Sequence, residues 1–416
     1  MKGREKMQER NKDAGFEKNL LNRPAILGNA PIFNEMLPIL RPNLPAFRDL
    51  EKEWEQVLLS NQITNAKQVK KFEEHVAEYL GVKHCVAVSS CTSGLMLTLR
   101  SLNIQGEVVI PSFTFFATAH ALLWNGIRPV FVDCELDTFN IDPIQVESAI
   151  TPRTKAILAI HMYGNPAEIK KLDMISKKYN IPLIFDAAHA FGALYQNQSI
   201  GQFGMAEIFS LSPTKTLISG EGGLVTTNDA GLARLIRLGR NYGDGGNYDP
   251  VYVGLNARMS EFHATLGLHS LKHVQYEIDR RNHITEKYQH CLKDIPGIEF
   301  QKIRSGNRST YKDFSILIDE NKFGLSRDEV CRALETENIM TKKYFYPPVH
   351  RQTIYSAIYE SQKKQLNNTD SISNRVVSLP IYSRLLDEEV NKICNAIERI
   401  KQFSSEIKET ISSLCV

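Results

Sequence analysis

A chain of 416 residues is too long for one hydrophobic core and suits two domains, or one large domain with a lobe. Its formal net charge of +3 is too small for that length to suggest a nucleic-acid or membrane surface, and no apolar run approaches a membrane span. The seven cysteines (85, 91, 134, 291, 331, 394 and 415) are scattered, with no CxxC pair and no histidine at zinc spacing, which argues against a disulfide framework or metal site and for a reducing cytoplasm.

The first 35 residues are polar, and no apolar stretch follows their charged start, so 1–35 reads as a weakly ordered lead rather than a secretory signal. From 46 to 80 the spacing is helical: Phe47, Leu50, Trp54, Val57 and Leu58 mark one face, and Phe72, Val76 and Leu80 another that ends at Gly81. Short apolar runs then alternate with amphipathic stretches. Seven of them predict strands, at 85–89, 107–110, 129–132, 156–160, 182–185, 208–211 and 224–227. Buried strands separated by helices give an α/β large domain over 36–292, a mostly parallel seven-stranded sheet between helices. In such sheets ligands bind beyond the carboxyl ends of strands. A long helix over 259–292 leads out of it. After Pro296 and Gly297 come strands at 298–301 and 314–318 and helices at 327–337 and 387–403, a small C-terminal α+β domain over 293–416.

The chemistry-bearing residues fall at those strand ends. Lys215 stands in Phe-Ser-Leu-Ser-Pro-Thr-Lys-Thr-Leu-Ile-Ser-Gly-Glu-Gly-Gly, 209–223, and 29 residues earlier Asp186 ends another apolar run. A lysine and a strand-end aspartate are the pair that pyridoxal phosphate requires: the amine condenses with the aldehyde, and the carboxylate keeps the pyridine nitrogen protonated. Ser89-Ser90-Cys91-Thr92-Ser93-Gly94 opens a helix after a strand, where unpaired backbone N–H groups and the helix dipole suit a phosphate. Phe115 follows the 107–110 strand and is placed to stack on the cofactor ring. His189, three residues after Asp186, is placed for the ring hydroxyl, and Ser210 for the phosphate. Each has an ordinary alternative (a solvated lysine, a helix N-cap, a core phenylalanine or histidine), and their co-occurrence is what weighs against those.

These stretches, with 129–133, His161-Met-Tyr-Gly164, Arg240-Asn-Tyr-Gly243, 254–261, Tyr344-Phe-Tyr-Pro-Pro-Val-His350 and Leu379-Pro-Ile-Tyr382, occur in an order that resembles the DegT/DnrJ/EryC1/StrS nucleotide-sugar aminotransferases. The resemblance covers nearly everything after residue 40. It implies the pyridoxal-phosphate-dependent transferase fold type I, with Lys215 as the Schiff-base lysine, Asp186 on the pyridine nitrogen and His189 near the ring hydroxyl. Phe115 would stack on the ring, while Thr92, Ser93 and Ser210 hold the phosphate. Asn256 would reach the phosphate across a homodimer interface. Arg258, Tyr346 and His350 become candidates for the sugar diphosphate or donor carboxylate. Ser90-Cys91 departs from the Asn-Gly of many members. L-glutamate and a nucleotide-linked keto-sugar are the implied substrates, and the phrasing is closest to enzymes that aminate C4 of dTDP-4-keto-6-deoxyglucose. The alternatives are a C3-specific or cyclitol aminotransferase and, from another class, a non-catalytic regulator that binds the cofactor or a nucleotide sugar.

Overall fold

The computed structural model describes residues 22–360 and 365–413. The helical pattern of 46–80 resolves into two helices, α1 (Glu51–Ser60) and α2 (Lys67–Leu80). Asn61 ends the first in a left-handed conformation, φ 57°. Of the first predicted face, Leu50 and Val57 are buried, whereas Phe47 and Leu58 are exposed.

All seven expected strands form, and they join in one sheet. In chain order they are β1 (His84–Val88), β2 (Glu107–Pro111), β3 (Arg128–Val132), β4 (Thr154–Ile160) and β5 (Leu183–Asp186). A small hairpin, β6 (Leu194–Tyr195) and β7 (Gln198–Ser199), lies outside the sheet before β8 (Ala206–Ser210) and β9 (Gly223–Thr227) complete it. The spatial order is β1-β9-β8-β5-β4-β2-β3, and β9 alone runs antiparallel to its neighbours.

Alternate residues of each strand enter different cores, as a two-sided sheet demands. Val109, Ile157, Phe185 and Phe209 pack with α2, α5 (Pro143–Ala149) and α6 (Ile169–Tyr179). Val108, Leu158, Ile184 and Ile208 pack on the opposite face with α3 (Cys91–Ser101), α4 (Phe116–Trp124) and α7 (Ala230–Gly239). A 32-residue helix, α8 (Glu261–Leu292), spans roughly 48 Å at 1.5 Å per residue. Its first carboxylate, Glu261, accepts from the amides of Ala66, Gln68 and Val69 and so caps α2.

The far end of α8 supplies Ile284, Tyr288 and Leu292 to a second core. That core holds a three-stranded antiparallel sheet, β10 (Ile298–Phe300), β11 (Phe314–Ile318) and β12 (Val376–Leu379), with helices 327–336 and 387–402. β12 was not read from the sequence.

Of the polar lead expected over 1–35, residues 1–21 lie outside the described residues. Residues 22–40 fasten onto the small domain. Ile26, Leu27, Ile32 and Phe33 pack on its core, and the amides of Ala25 and Ile32 donate to the fully buried carboxylate of Glu337 at 2.9 and 2.8 Å. Leu37, the second residue of the expected large domain, is buried in this second core. Among the described residues no helix is long and apolar enough to cross a membrane, and no cluster of three potential metal ligands occurs.

Candidate active site

The strand ends place their residues around one cavity of about 390 Å³. Thr92, Phe115, Asp186, His189, Ser210 and Lys215 all line it. Asp186 closes β5, where its Cα pairs with Ile160 of β4 and Ile208 of β8, so the parallel register alone sets its carboxylate at the sheet edge. It is 6% exposed. Its Oδ2 accepts from Thr118 Oγ1 at 2.7 Å, and its Oδ1 from the Ala188 amide at 3.1 Å, with Cys91 Sγ 3.8 Å away. Burial raises its pKa above the usual carboxylate range, and the Thr118 hydroxyl, the Ala188 amide and the Lys215 ammonium work against that rise.

Lys215 hangs on a loop pinned at several points. Its amide donates to Ser212 O at 3.0 Å, Ser219 N to Leu211 O at 2.9 Å and Thr216 Oγ1 to Phe191 O at 3.2 Å. Burial, helped by the ammonium of Lys312, pushes its pKa down to about 8. The amine is therefore poised to act as a nucleophile or base near neutral pH. His189 Nδ1 is buried and has no protein partner, and the ring lies near-parallel to Phe345 at 6.3 Å. Burial drives its pKa well down, so the imidazole is neutral.

At the opposite end, Ser90 caps helix Cys91–Ser101. Its Oγ accepts from Ser93 N, and Ser93 Oγ accepts from Ser90 N, both at 3.0 Å. This capping box engages the Ser93 hydroxyl; Thr92 lines the cavity and Ser93 does not. Ser210, Ser212 and Thr214 continue the rim as a chain of hydroxyls 3.5 and 3.4 Å apart. Gly223 permits this arrangement: a Cβ there would lie 2.5 Å from the Ser90 carbonyl carbon and 2.6 Å from the Cys91 amide nitrogen. β9 can thus lie directly under the helix start.

Asn256, Arg258, Tyr346 and His350 do not line this cavity. Asn256 is exposed, bridged to Asn241. Arg258 donates to Asn241 Oδ1 at 2.6 Å and stacks over Tyr242 at 5.3 Å. Tyr346 is 49% exposed and covers Arg327. His350 departs from its expected place at the substrate. It is fully buried, with Nδ1 2.6 Å from Ser112 Oγ and Nε2 3.1 Å from Asp370, and burial pushes its pKa down to about 4. It joins the end of β2 to the 367–375 helix. Thr118 and Lys312 were not singled out from sequence, yet one holds Asp186 and the other lines the cavity.

The residues fit pyridoxal phosphate: an unpartnered imidazole, a buried carboxylate, an amine near its pKa and a hydroxyl-lined helix start converge on one space. Comparison with known proteins agrees. The model of the DegT/DnrJ/EryC1/StrS aminotransferase family matches residues 48–398. The chain is 36% identical over 365 residues to an Escherichia coli dTDP-4-amino-4,6-dideoxy-D-glucose transaminase, covering 86% of this chain and 97% of that protein. It is 33% identical over 370 residues to a dTDP-3-amino-3,6-dideoxy-alpha-D-galactopyranose transaminase of Aneurinibacillus thermoaerophilus, covering 88% and 99%. The crystal structure of DesI with its TDP-sugar product superposes with a TM-score of 0.87 at 34% identity, over 95% of this chain and all of that one. The cavity is accordingly that of a pyridoxal-phosphate-dependent nucleotide-sugar aminotransferase. From strand order to cavity lining to family model, the conclusion is the same: the chain belongs to the DegT/DnrJ/EryC1/StrS aminotransferase family.

Proposed function

We propose that this enzyme moves the amino group of L-glutamate to C4 of dTDP-4-keto-6-deoxyglucose, giving dTDP-4-amino-4,6-dideoxyglucose, and that it works as a cytoplasmic homodimer. The meeting of Lys215 and Asp186 in one cavity carries the amino-transfer chemistry. The choice of C4 is supported by two relatives, 36% and 35% identical, that are dTDP-4-amino-4,6-dideoxy-D-glucose transaminases. A C3-specific enzyme is the second reading, favoured by the 33% identity to the Aneurinibacillus protein.

When bound, pyridoxal phosphate supplies an electron sink for a carbanion beside nitrogen. Thr92, Ser210 and the first-turn amides of the 91–101 helix hold its phosphate. Phe115 would lie over the ring, His189 Nδ1 would serve the ring hydroxyl, and the Asp186 carboxylate would keep the ring nitrogen protonated. Lys215 is the point of covalent attachment. Its Nζ, when free, would take the proton from the glutamate Cα and, in the second stage, would deliver a proton to sugar C4. Asn256 and Arg258 are proposed to act on the partner's site. In support, their stretch carries Tyr248, Val251 and Val253, which are 98%, 67% and 71% exposed, an apolar surface suited to a second copy of the chain.

The amine of Lys215 also sets a pH dependence. With its pKa at about 8, the fraction of neutral amine rises roughly tenfold per pH unit below that value and levels off above it. Stopped-flow capture of pyridoxal phosphate by cofactor-free protein is expected to follow that curve; a rate still rising steeply from pH 9 to 10 would assign capture to an ordinary lysine.

The substrate is tested by half-reactions. Protein amino-loaded with glutamate is offered 4-keto and 3-keto nucleotide sugars separately, and return of the cofactor's visible absorption is followed. Return with dTDP-4-keto-6-deoxyglucose alone is the expected result. Return with a 3-keto sugar instead would move the reaction to C3.

A further inference from the structure

One wall of the cavity carries a charge that helps lower the Lys215 pKa and takes no ligand in these roles. Lys312 lines it beside Tyr344 and Phe345, and among the lining residues it is the only cation besides Lys215. Its backbone is fixed from two directions: the amide donates to Tyr163 O at 2.9 Å, and the carbonyl accepts from Arg281 Nη1 at 3.2 Å. Arg281 is itself a buried residue of α8 whose Nη1 also reaches the carbonyls of Tyr311 and Ile381. The side chain is thus held at the join between the two cores.

The Lys312 ammonium sits 2.8 Å from Asp313 Oδ1 and 5.0 Å from the Tyr344 ring centroid. Three protons are available to it, and Asp313 uses one. Lys312 lines the same cavity as Lys215 and His189, and its charge lowers the pKa of both.

The hydroxyl-lined end of the cavity suits a phosphate, and Lys312 is held against Tyr344 on another wall. An amino-acid donor brings a carboxylate on the same carbon that gives its proton to Lys215. That anion is carried into a space where an unpaired charge is costly, so it requires a cation within hydrogen-bonding reach. We propose that Lys312 receives the α-carboxylate of the amino donor, with Asp313 fixing the position of its ammonium. This rests on the reading that the donor is an α-amino acid. It makes Lys312 a residue of donor recognition.

The test uses the cofactor-loaded enzyme and two amines, L-glutamate and propylamine, which lacks a carboxylate. The concentration of each that half-saturates the spectral change accompanying its reaction with the cofactor is measured by stopped flow. Lys312→Met is expected to raise that concentration about 10- to 100-fold for glutamate and to leave it within about twofold for propylamine, the size of a lost charge-assisted hydrogen bond. Lys312→Gln should behave like Lys312→Met, and Lys312→Arg should recover most of the loss. Cofactor content, measured after release in base, stays that of the parent. Equal losses for both amines, or no loss for glutamate, would overturn the assignment while leaving the donor reading intact. A parent enzyme that answers propylamine but no α-amino acid would overturn both.

Discussion

Lys215→Ala is expected to lower amino transfer by about 10⁴-fold, the upper range for a positioned base, and still bind pyridoxal phosphate. The two halves of this result come from different parts of the cavity. Binding draws on the start of the 91–101 helix and the Ser210–Ser212–Thr214 hydroxyls, none of which leans on the lysine side chain. Turnover draws on an amine that burial has brought to a pKa of about 8, and no other lining residue offers a base of that kind. His189 is neutral but carries a pKa driven well down, and Lys312 is tied to Asp313. Single-turnover kinetics together with cofactor content after gel filtration check it. Undiminished turnover in the variant would remove the proton-transfer role.

The second large effect is expected at Asp186. Asp186→Asn keeps the shape: its amide oxygen can still accept from the Ala188 amide, and its NH₂ can donate to the Thr118 hydroxyl. Only the charge is lost. A buried carboxylate whose pKa is raised by desolvation gains most from a cationic partner, and a protonated ring nitrogen is such a partner. Removing it should cut kcat by about 10²- to 10³-fold, as for other groups aimed at developing charge, with cofactor retention little changed. Parallel measurement of kcat and bound cofactor decides it; large cofactor loss with normal turnover would assign Asp186 to anchoring.

What was legible in the sequence follows from the geometry of the sheet. Strand ends converge on one edge whatever the chain distance between them, so Ser90, Asp186 and Ser210 could be grouped from short apolar runs. Lys215 enters through the chemistry it shares with Asp186, and Thr92 through the family resemblance. The expectations that fall outside the cavity lining have local causes. Ser93 shares its residue type between a capping box and a phosphate cradle, and the structure shows it in the box. His350 follows two prolines, and nothing in that pattern tells an inward imidazole from an outward one. Thr118 is hidden within a short apolar helix, where its hydroxyl has no periodic signature. Lys312 and Asp313 carry no signal in the sequence, because the bonds that fix Lys312 at the cavity, to Tyr163 and from Arg281, are long-range. β12 is four residues long and starts where the preceding helix ends, leaving no turn to announce it.

The docking of residues 22–40 on the small domain has a consequence for how the protein is made. Glu337 needs the amides of Ala25 and Ile32, yet some 300 residues separate them along the chain. At about 5–20 residues per second, a ribosome takes tens of seconds to cross that interval. Throughout it the early segment waits without its partner, its apolar side chains open to chaperones or to other nascent chains. The large domain can close around its own sheet in the meantime, so the last stage of maturation is the return of the beginning of the chain to its end.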